Sequence, residues 1–516
     1  MSSTSILRDP WRTTLAFVGV LTLVRLVVLF TTPLELYPDE AQYWLWSREL
    51  DFGYYSKPPM IAWLIHLTTA IGGNDEAWVR LSSLFLHAGA ALALFQVGRT
   101  LYDARTGLWS AVLYSLMPGV VLSSGLVSTD ASLLFFLSLT LWAYARLVTA
   151  ADDRGRLTAA LGMGAALGLA FLSKYAALYF LAGLLAHAVI SREARAAWNW
   201  KTGLAALAAF AVVAAPNVIW NAHHGFATVA HTADNANWHA GDLFHPAELL
   251  DFVVGQFGVF GPVAFGVLGV GVWMLLRGRE AASAPADKLL ACMALPPLIF
   301  VAIQALLSRA NANWAAAAYV AGSVLVAAWL VRWHARRTLT TAVATQGVIA
   351  AVIMIIGAFP PLGDAIGAAN TFKRVRGWEA MTREVTARAE REQADAGLGA
   401  VAVDDRFLFN SLAYYGRDWF GKNGHPGLRA WVRTAAPRSH AETFAPLTPA
   451  DGPRVLAVSL SESIRPEFAA DFARFGGWEP VAVKLDRKRT RDFAMGVGED
   501  YVRRPRDPAS GLPIRP

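Results

Sequence analysis

The sequence predicts an all-α polytopic membrane domain of about eleven transmembrane helices, followed by a small α/β domain that is soluble in water. Three observations support this fold class. Hydrophobic residues make up 55% of the 516 residues and charged residues only 16%, and the mean hydropathy is +0.37. Apolar runs of roughly 20 residues, the length that crosses a bilayer, recur between residues 13 and 360. Basic residues concentrate in alternate loops, as in proteins that cross a membrane many times.

The apolar runs are the candidate spans. The first run contains Arg25 and ends without a small-residue cleavage site, so the sequence predicts a retained span and not a removed signal peptide. In chain order the candidate spans cover residues 13–33, 78–98, 107–125, 130–149, 157–173, 175–191, 202–220, 249–276, 289–307, 314–331 and 340–360.

The loops between these runs alternate in charge. Lys and Arg are sparse in one set of loops, residues 34–77, 126–129, 221–248 and 308–313. The other set of loops is rich in Lys and Arg, and the positive-inside rule places it in the cytoplasm. This predicts an inner-membrane protein with a cytoplasmic N-terminus and a periplasmic C-terminal domain. The net charge of +7 forms no single patch, so the sequence predicts no nucleic-acid partner. The basic loops hold Arg8/Arg12, Arg99/Arg105, Arg154/Arg156, Arg192/Arg195/Lys201, Arg277/Arg279/Lys288 and Arg332/Arg336/Arg337.

The chain is predicted to divide into a transmembrane domain, residues 1–361, and an α/β domain, residues 362–516. A polar stretch at 377–395 favours a helix. The segments 400–405 and 454–460 are typical of buried strands, and each precedes a helical pattern, at 406–415 and 463–475. This domain has no glycine-rich phosphate loop and no metal-ligand spacing, so its sequence predicts no chemistry. The single cysteine, Cys292, excludes an intramolecular disulfide.

The first outer loop, residues 34–77, combines aromatic rings with charges. Tyr and Trp favour the membrane–water interface, so an aromatic belt with solvated charges explains most of its residues. It explains Asp39 and Glu40 poorly, because adjacent carboxylates directly after a span repel each other unless they have a partner. Lys57 precedes two prolines, which stiffen the backbone that carries its side chain.

Further charges lie at the predicted outer ends of other spans. Lys174 interrupts an apolar run, where it either snorkels to the interface or serves a site. Asp130 either complements a helix N-terminus or belongs to the same site. Arg80 and Arg309 complete the outer-face cations.

One reaction uses outer-face acids, cations and a lipid-accessible membrane domain together. Cleavage of a sugar–phosphate bond on a lipid carrier builds negative charge on the leaving phosphate, which Lys and Arg stabilise. A carboxylate takes the proton from the attacking hydroxyl. A transporter or flippase for lipid-linked sugars is the alternative. Transporters place charges near the bilayer midplane on repeated halves, and this sequence shows neither feature.

Seven short motifs carry a family resemblance. In their order and topological positions they resemble the polyprenyl-phosphate-sugar-dependent glycosyltransferases of the GT-C fold. This is the superfamily of the dolichyl-phosphate-mannose protein mannosyltransferases (family 39), which is related to the aminoarabinose transferase of lipid A (family 83). The C-terminal domain also resembles the periplasmic domain of many such proteins. The motifs are YPDEAQYWLWS, GYYSKPPMIAW, RLSS, STDASLLFF, FLSKYAAL, PNVIWNAHHG and NANWAAAAY, within residues 37–319.

The resemblance implies roles for individual residues. Asp39 matches the catalytic base, with Glu40 beside it, and Asp130 matches a second acid of the site. Lys57 and Lys174 match lysines that hold the lipid phosphate. Arg80 lies in a matching motif and is assigned to donor phosphate binding. The residues assigned to an acceptor site or lipid groove are Tyr54, Tyr55, His224, Arg309 and Asn313.

The resemblance leaves metal dependence open at one position. The residue before the KPP lysine is an acid in the aminoarabinose transferase and is Ser56 here. Zinc remains an alternative because of the histidines of the outer loop, but their irregular spacing favours a polar loop. The sequence therefore predicts no obligatory metal or cofactor. These histidines are His223, His224, His231, His239 and His245.

The resemblance thus implies an inverting glycosyltransferase of the inner membrane. The expected donor is a polyprenyl-phosphate-linked sugar. The expected acceptor is a periplasmic cell-envelope molecule: lipid A, lipopolysaccharide, another glycolipid or a protein hydroxyl.

Overall fold

The chain forms two compact units in a computed structural model that describes residues 9–234, 236–238, 241, 243–279, 284–508 and 510–514. The membrane unit comprises residues 9–31 and Asp51–Ala358. The C-terminal unit comprises Thr32–Leu50 and the residues from Phe359 onward. The predicted outer loop is therefore divided, because its first part folds with the end of the chain.

Helices dominate both units. In chain order the α-helices are α1 (Pro10–Thr31), α2 (Pro38–Trp46), α3 (Met60–Gly72), α4 (Glu76–Leu101), α5 (Ala104–Leu116), α6 (Pro118–Ser124), α7 (Thr129–Thr149), α8 (Asp153–Ser173), α9 (Leu178–Ile190), α10 (Arg192–Ala197), α11 (Trp200–His223), α12 (Ala227–Asp234), α13 (Pro246–Phe260), α14 (Pro262–Leu276), α15 (Pro285–Leu307), α16 (Ala318–Arg332), α17 (Arg336–Ala358), α18 (Pro360–Ala365), α19 (Trp378–Ala396), α20 (Arg406–Tyr415), α21 (Arg417–Phe420), α22 (His440–Phe444) and α23 (Arg465–Ala469).

The membrane unit confirms the predicted helical membrane domain, with fewer full-length spans than eleven. Among the described residues, seven helices are long and apolar enough to cross a membrane, and nine segments qualify if each of two bent pairs is one span. Two further predicted spans are shorter apolar helices, Tyr175–Ile190 and Ala318–Arg332. A third short apolar helix, α3, lies within the predicted outer loop. The seven are α1, α4, α7, α8, α11, α15 and α17, and the bent pairs are α5/α6 and α13/α14.

The span predicted at 249–276 is broken in the middle. Helices α13 and α14 meet at an angle of 115°. Gly261 at the break has φ +102°, a conformation that favours glycine, and Pro262 has no amide hydrogen to continue the helix. The Gln346 side-chain amide donates to the carbonyl of Phe260 at 2.7 Å, which satisfies a backbone group freed by the break.

The bend between α5 and α6 explains why the first span contains an arginine. Helices α5 and α6 bend by 62° at Met117 and Pro118. Arg25 is 7% exposed, and its Nη2 donates to the carbonyl of Ser115 at 2.5 Å. A cation at the C-terminal end of a helix also complements the helix dipole. Arg25 is therefore a structural residue that stabilises the end of α5.

The C-terminal unit is built on a six-stranded mixed sheet, which confirms the predicted α/β class. Strand order is β2-β1-β3-β6-β4, with β5 also paired to β6. β1 is parallel to β2 and β3, whereas β6 is antiparallel to β3, β4 and β5. The strands are β1 (Ala400–Val403), β2 (Gly427–Ala430), β3 (Arg454–Ser459), β4 (Phe472–Phe475), β5 (Glu479–Lys484) and β6 (Thr490–Tyr501).

One predicted helix is wrong in its second half. The pattern at 463–475 begins as α23 but ends as strand β4. Between them Asp471 is fully buried and pairs with Arg506 at 2.7 Å, a contact with a residue 35 positions later. Tertiary pairing with Arg506 and with β6 therefore overrides the helical pattern of this segment.

Asp404 gives the C-terminal unit a pH-dependent stability. It follows β1, and its carboxylate accepts a hydrogen bond from the Ser459 hydroxyl at the end of β3. Burial raises its pKa from 3.8 to about 6. The folded unit therefore holds a proton that the unfolded chain releases, so its stability falls as pH rises from about 4 to above 6.

Asp404→Asn removes this ionisation. We expect the variant to gain of the order of 1–2 kcal/mol over wild type at pH 8, and to show little gain at pH 4. Thermal unfolding of the purified full-length chain at both pH values measures the difference. Asp418→Asn, which removes an exposed carboxylate of the same unit, is the control and should gain no more stability at pH 8 than at pH 4. Equal gains for Asp404→Asn at both pH values would contradict the assignment.

Candidate active site

The end of α11 holds the second part of the predicted outer loop in place. The Trp220 indole donates to the Asp51 carboxylate at 2.6 Å, and the Asn217 amide donates to the carbonyl of Phe52 at 2.6 Å. The Thr228 hydroxyl donates to the carbonyl of Tyr54 at 2.7 Å. These bonds hold the loop around the GYYSKPP motif against the PNVIWN motif, across sequence separations of 165 and 169 positions for the first two bonds.

The same helix end is tied to the motif that contains Lys174. The Tyr175 hydroxyl donates to Asn217 Oδ1 at 2.9 Å and accepts from the Asn221 amide at 3.0 Å. Asn217 and Asn221 are buried, at 1% and 2% exposure. This polar network therefore connects the backbone around Lys57 to the residue that follows Lys174.

Lys174 and Asp130 form an ion pair at the ends of two neighbouring helices. Lys174 follows α8 in an extended conformation, and Asp130 lies in the first turn of α7. The ammonium lies 2.6 Å from Asp130 Oδ1, and the side chains are 23% and 15% exposed. The Asn313 amide donates to the other oxygen, Oδ2, at 3.0 Å. Three of the predicted site residues are thus brought together in the membrane unit.

Lys57 lies in the fixed part of the loop. It is half-buried, and its carbonyl accepts from the amide of Tyr54 at 3.0 Å, which closes a turn ahead of the two prolines. Tyr54 is 4% exposed, so it is a packing residue of this turn. Tyr55 is half-buried, and its ring tilts against His231 at 5.7 Å between centroids.

Other predicted site residues take different positions in the membrane unit. Arg80 is 1% exposed within α4, among the largest fully buried side chains of the described chain. His224 stacks on Trp220, with 4.0 Å between ring centroids, and its Nδ1 lies 2.8 Å from the carbonyl of Trp220. Arg309 is exposed beyond the end of α15. The burial of Arg80 fits a structural residue better than a phosphate ligand.

The C-terminal unit separates the two adjacent carboxylates of the first loop. Glu40 is 2% exposed, and its Oε2 accepts from the amide of Tyr37 at 2.8 Å, which closes the N-terminus of α2. The Asp39 side chain is 35% exposed, and its Oδ1 lies 3.9 Å from Nη2 of Arg406. The carboxylates that repel each other in the sequence therefore have separate partners, and Asp39 is the accessible one.

Sequence reasoning missed the residues that position the segment before Asp39. The Tyr415 hydroxyl accepts from the amide of Leu36 at 2.7 Å, and Trp44 packs edge-on against Tyr414. Glu35 accepts from the amide of Trp378 at 2.5 Å, and burial raises the pKa of this carboxyl. These partners lie more than 340 positions later in the chain, and no local motif indicates them.

The histidines of the outer loop form no cluster in the described structure. Across residues 9–234, 236–238, 241, 243–279, 284–508 and 510–514, no group of three or more His, Cys, Asp or Glu side chains is arranged to hold a metal ion. His223, His224, His231 and His245 lie within these ranges, and His239 lies outside them. Ser56 is 5% exposed.

Comparison with known proteins gives consistent results. The family described as dolichyl-phosphate-mannose-protein mannosyltransferase matches residues 56–220. The lipid A galacturonosyltransferase RgtD of Rhizobium johnstonii is 37% identical over 403 residues, which cover 77% of this chain and 81% of the relative. The undecaprenyl phosphate-α-4-amino-4-deoxy-L-arabinose arabinosyl transferase of Pseudomonas aeruginosa is 29% identical over 189 residues, 34% of each chain.

Solved structures show the same fold. The crystal structure of ArnT from Cupriavidus metallidurans in the apo state has a TM-score of 0.64 at 15% identity, and covers 93% of this chain and 98% of that one. The structure of the same protein bound to undecaprenyl phosphate has a TM-score of 0.65 at 14% identity, with 94% and 98% covered.

The apolar helices and the relatives define a multi-pass membrane glycosyltransferase. The chain belongs to the GT-C glycosyltransferase family that includes the lipid A galacturonosyltransferase. The resemblance drawn from the seven motifs is thereby confirmed. The relatives are transferases, which favours an enzyme over a transporter.

Proposed function

We propose that the enzyme moves a sugar, with inversion, from an undecaprenyl-phosphate-type donor to lipid A or a related envelope glycolipid. The observation that carries the proposal is the Lys174–Asp130–Asn313 cluster at the ends of apolar helices. A cation at such a helix end meets the phosphate of a lipid donor while the prenyl chain stays in the bilayer. The names of the relatives support both substrates, because one acts on lipid A and the other uses undecaprenyl phosphate.

In the proposed reaction the acceptor oxygen attacks the anomeric carbon of the sugar from the face opposite the phosphate. The bond between that carbon and the phosphate oxygen breaks, so the lipid phosphate leaves with an additional negative charge. Asp39 accepts the proton of the acceptor hydroxyl. Lys57 and Lys174 stabilise the charge that develops on the phosphate.

Asp130 and Asn313 orient the ammonium of Lys174 in this proposal. An ion pair that is three-quarters or more buried on both sides holds its geometry better than a solvated one, because fewer waters compete for the charges. The donor phosphate would then replace or share the contact that Lys174 makes with Asp130. Tyr54, Tyr55, His224 and Arg309 remain proposed members of the acceptor site or lipid groove.

We also propose that the site faces the periplasm from the inner membrane. The loops rich in arginine support this orientation, because they lie at the helix ends opposite Asp130 and Lys174. Cysteine-labelling of single-cysteine variants in intact cells and in inverted vesicles tests it. Labelling of Asn313→Cys, in a chain that also carries Cys292→Ser, only in inverted vesicles would overturn the orientation.

The transfer reaction can be tested with the full-length chain in lipid nanodiscs. We expect release of free undecaprenyl phosphate from undecaprenyl-phosphate galacturonic acid when lipid A is present, with the mass of lipid A raised by one sugar. Undecaprenyl-phosphate aminoarabinose, used as the donor in the same assay, tests whether the chain transfers the sugar named for the second relative. Movement of intact donor between leaflets without cleavage would instead indicate the transporter alternative.

Gly53 provides a test of how the loop positions Lys57. A Cβ at Gly53 would lie 2.4 Å from the ring of Trp220, which is itself held by Asp51 and His224. Gly53→Ala should therefore shift the loop and lower kcat/KM by about tenfold, with a loss of about 1–3 kcal/mol in stability. Gly203→Ala, where a Cβ meets nothing within 4 Å, is the control. Unchanged kcat/KM for Gly53→Ala would contradict the positioning role.

A further inference from the structure

An open cavity of about 450 Å³, lined by polar and apolar surface in similar amounts, lies in the membrane unit at the ends of α4, α7 and α8. Its lining includes Gln96, Arg99, Trp142, Arg146, Thr149 and Asp152. The volume is in the range of pockets that hold small ligands. None of these residues takes part in the candidate active site.

The cavity lies at the opposite end of the helices from the candidate active site. Helix α7 runs from Asp130 in its first turn to Arg146 in its last turn, and the next helix, α8, returns to Lys174. Each of the two helices has 21 residues, which spans roughly 30 Å, the thickness of the hydrocarbon core. The cavity at the α7–α8 turn therefore faces the other leaflet.

Two exposed arginines, Arg99 and Arg146, give the cavity positive charge. Within the described ranges, the side chains of Arg99 and Arg146 have no carboxylate and no hydrogen-bond acceptor as partner. The Arg146 guanidinium lies 5.8 Å from the ring centroid of Trp142. Asp152 is the acid in the lining, and its Oδ1 caps α8 by accepting from the amide of Gly155 at 2.7 Å. The cavity therefore suits an anion.

The helix faces below the cavity are apolar. On α4, Leu92 lies one turn from Gln96 towards the membrane interior, and on α7 Leu139 lies one turn from Trp142. Both leucines are half-buried, so they present partly accessible apolar surface. An anion with an attached acyl chain would place its charge at the arginines and its chain along this surface. A soluble anion would use the arginines alone.

We propose that this cavity binds the phosphate head group of an anionic glycerophospholipid, in the leaflet opposite the candidate active site. Arg99 and Arg146 hold the phosphate, because guanidinium groups bind phosphate oxygens in bidentate geometry. Trp142 lies at the depth of the head groups, where indole rings are favoured. Basic pockets between transmembrane helices are general binding sites for such lipids. The inference does not depend on the proposed transfer reaction.

Native mass spectrometry of the purified, delipidated full-length chain tests the proposal with cardiolipin and phosphatidylcholine as probes. We expect cardiolipin to remain bound to the wild-type chain, and R99Q/R146Q to lower its apparent affinity by at least about tenfold. The control variant K201Q/R277Q loses the same charge from two other cations that lie over tryptophans, 5.8 Å and 5.7 Å from the ring centroids. It should bind cardiolipin as wild type does.

Three outcomes would overturn the proposal. These are equal binding of phosphatidylcholine and cardiolipin to wild type, equal cardiolipin loss in both double variants, and full competition by millimolar glycerol 3-phosphate. The last result would indicate a soluble phosphate ligand. Thermal unfolding and gel filtration check that the variants fold, and if R99Q/R146Q does not purify, the single variants R99Q and R146Q give the same comparison.

Discussion

Asp39→Asn is expected to lower kcat by about 10³-fold while the affinity for the polyprenyl-phosphate donor changes by less than about twofold. The amide has the size of the carboxylate but cannot accept the proton of the acceptor hydroxyl. General-base catalysis contributes about 10²–10⁴-fold in enzymes, so the loss should fall in that range. Donor binding depends on the lysines in the proposed mechanism and should persist.

The measurement is single-turnover transfer by the purified full-length chain, with donor affinity determined separately by a binding assay. Glu49→Gln is the matched control, because Glu49 is an exposed acid of the same segment. It should leave both quantities near the wild-type values. Near-normal turnover of Asp39→Asn would remove Asp39 as the base.

Glu40→Gln should behave differently from Asp39→Asn. Glu40 closes the N-terminus of α2 through the amide of Tyr37 and is 2% exposed. Its replacement weakens a charge-assisted hydrogen bond, so the expected effect is lower stability of the α2 segment. A loss of kcat without a loss of stability in Glu40→Gln would instead indicate that Glu40 takes part in the reaction.

Lys174→Ala is the second variant with a large expected effect, a fall in kcat/KM of about 10²–10³-fold. The ammonium stabilises charge that grows on the leaving phosphate, so its loss raises the energy of the transition state more than that of the bound donor. Lys57→Ala should act in the same direction. Initial rates at low donor concentration measure kcat/KM, and Lys201→Ala is a control at a distant helix end.

A double variant separates the catalytic role of Lys174 from a structural one. Lys174→Ala leaves the Asp130 carboxylate without its cation, which is destabilising by itself in a partly buried site. Lys174→Ala with Asp130→Ala removes both charges and should restore stability. If Lys174 binds the phosphate, activity stays low in the double variant. Recovery of activity together with stability would show that the pair is structural.

Sequence patterns predicted the membrane class and the helices well, because both depend on composition and on periodicity within one segment. The helix Arg406–Tyr415 has the bounds that its pattern predicted. The break at Gly261 and Pro262 was not predicted, because the run 249–276 is apolar throughout and a membrane span tolerates Gly and Pro when neighbouring helices satisfy the freed groups. Gln346, which donates the hydrogen bond to the carbonyl of Phe260 at the break, lies 86 positions later in the chain.

The candidate site also combines features that the sequence predicted with features that only the structure shows. The sequence predicted that Lys174, Asp130 and Asn313 share a face of the membrane, since span order and charge alternation decide on which side a loop lies. It left open whether Lys174 and Asp130 serve only as interfacial anchors, and the structure pairs them at 2.6 Å. The residue pattern alone did not distinguish Asp39 from Glu40, and only the family resemblance assigned the base to Asp39.

The sequence by itself determined that the chain crosses a membrane several times, that it ends in an α/β unit, and which acids and lysines are candidates for the reaction. Only the tertiary structure decided that Asp130 holds Lys174, that Glu40 closes a helix, and that Arg406 approaches Asp39. The physical reason is the range of the interactions. Hydropathy and helix periodicity act between near neighbours, whereas Arg406 meets Asp39 across more than 360 positions of the chain.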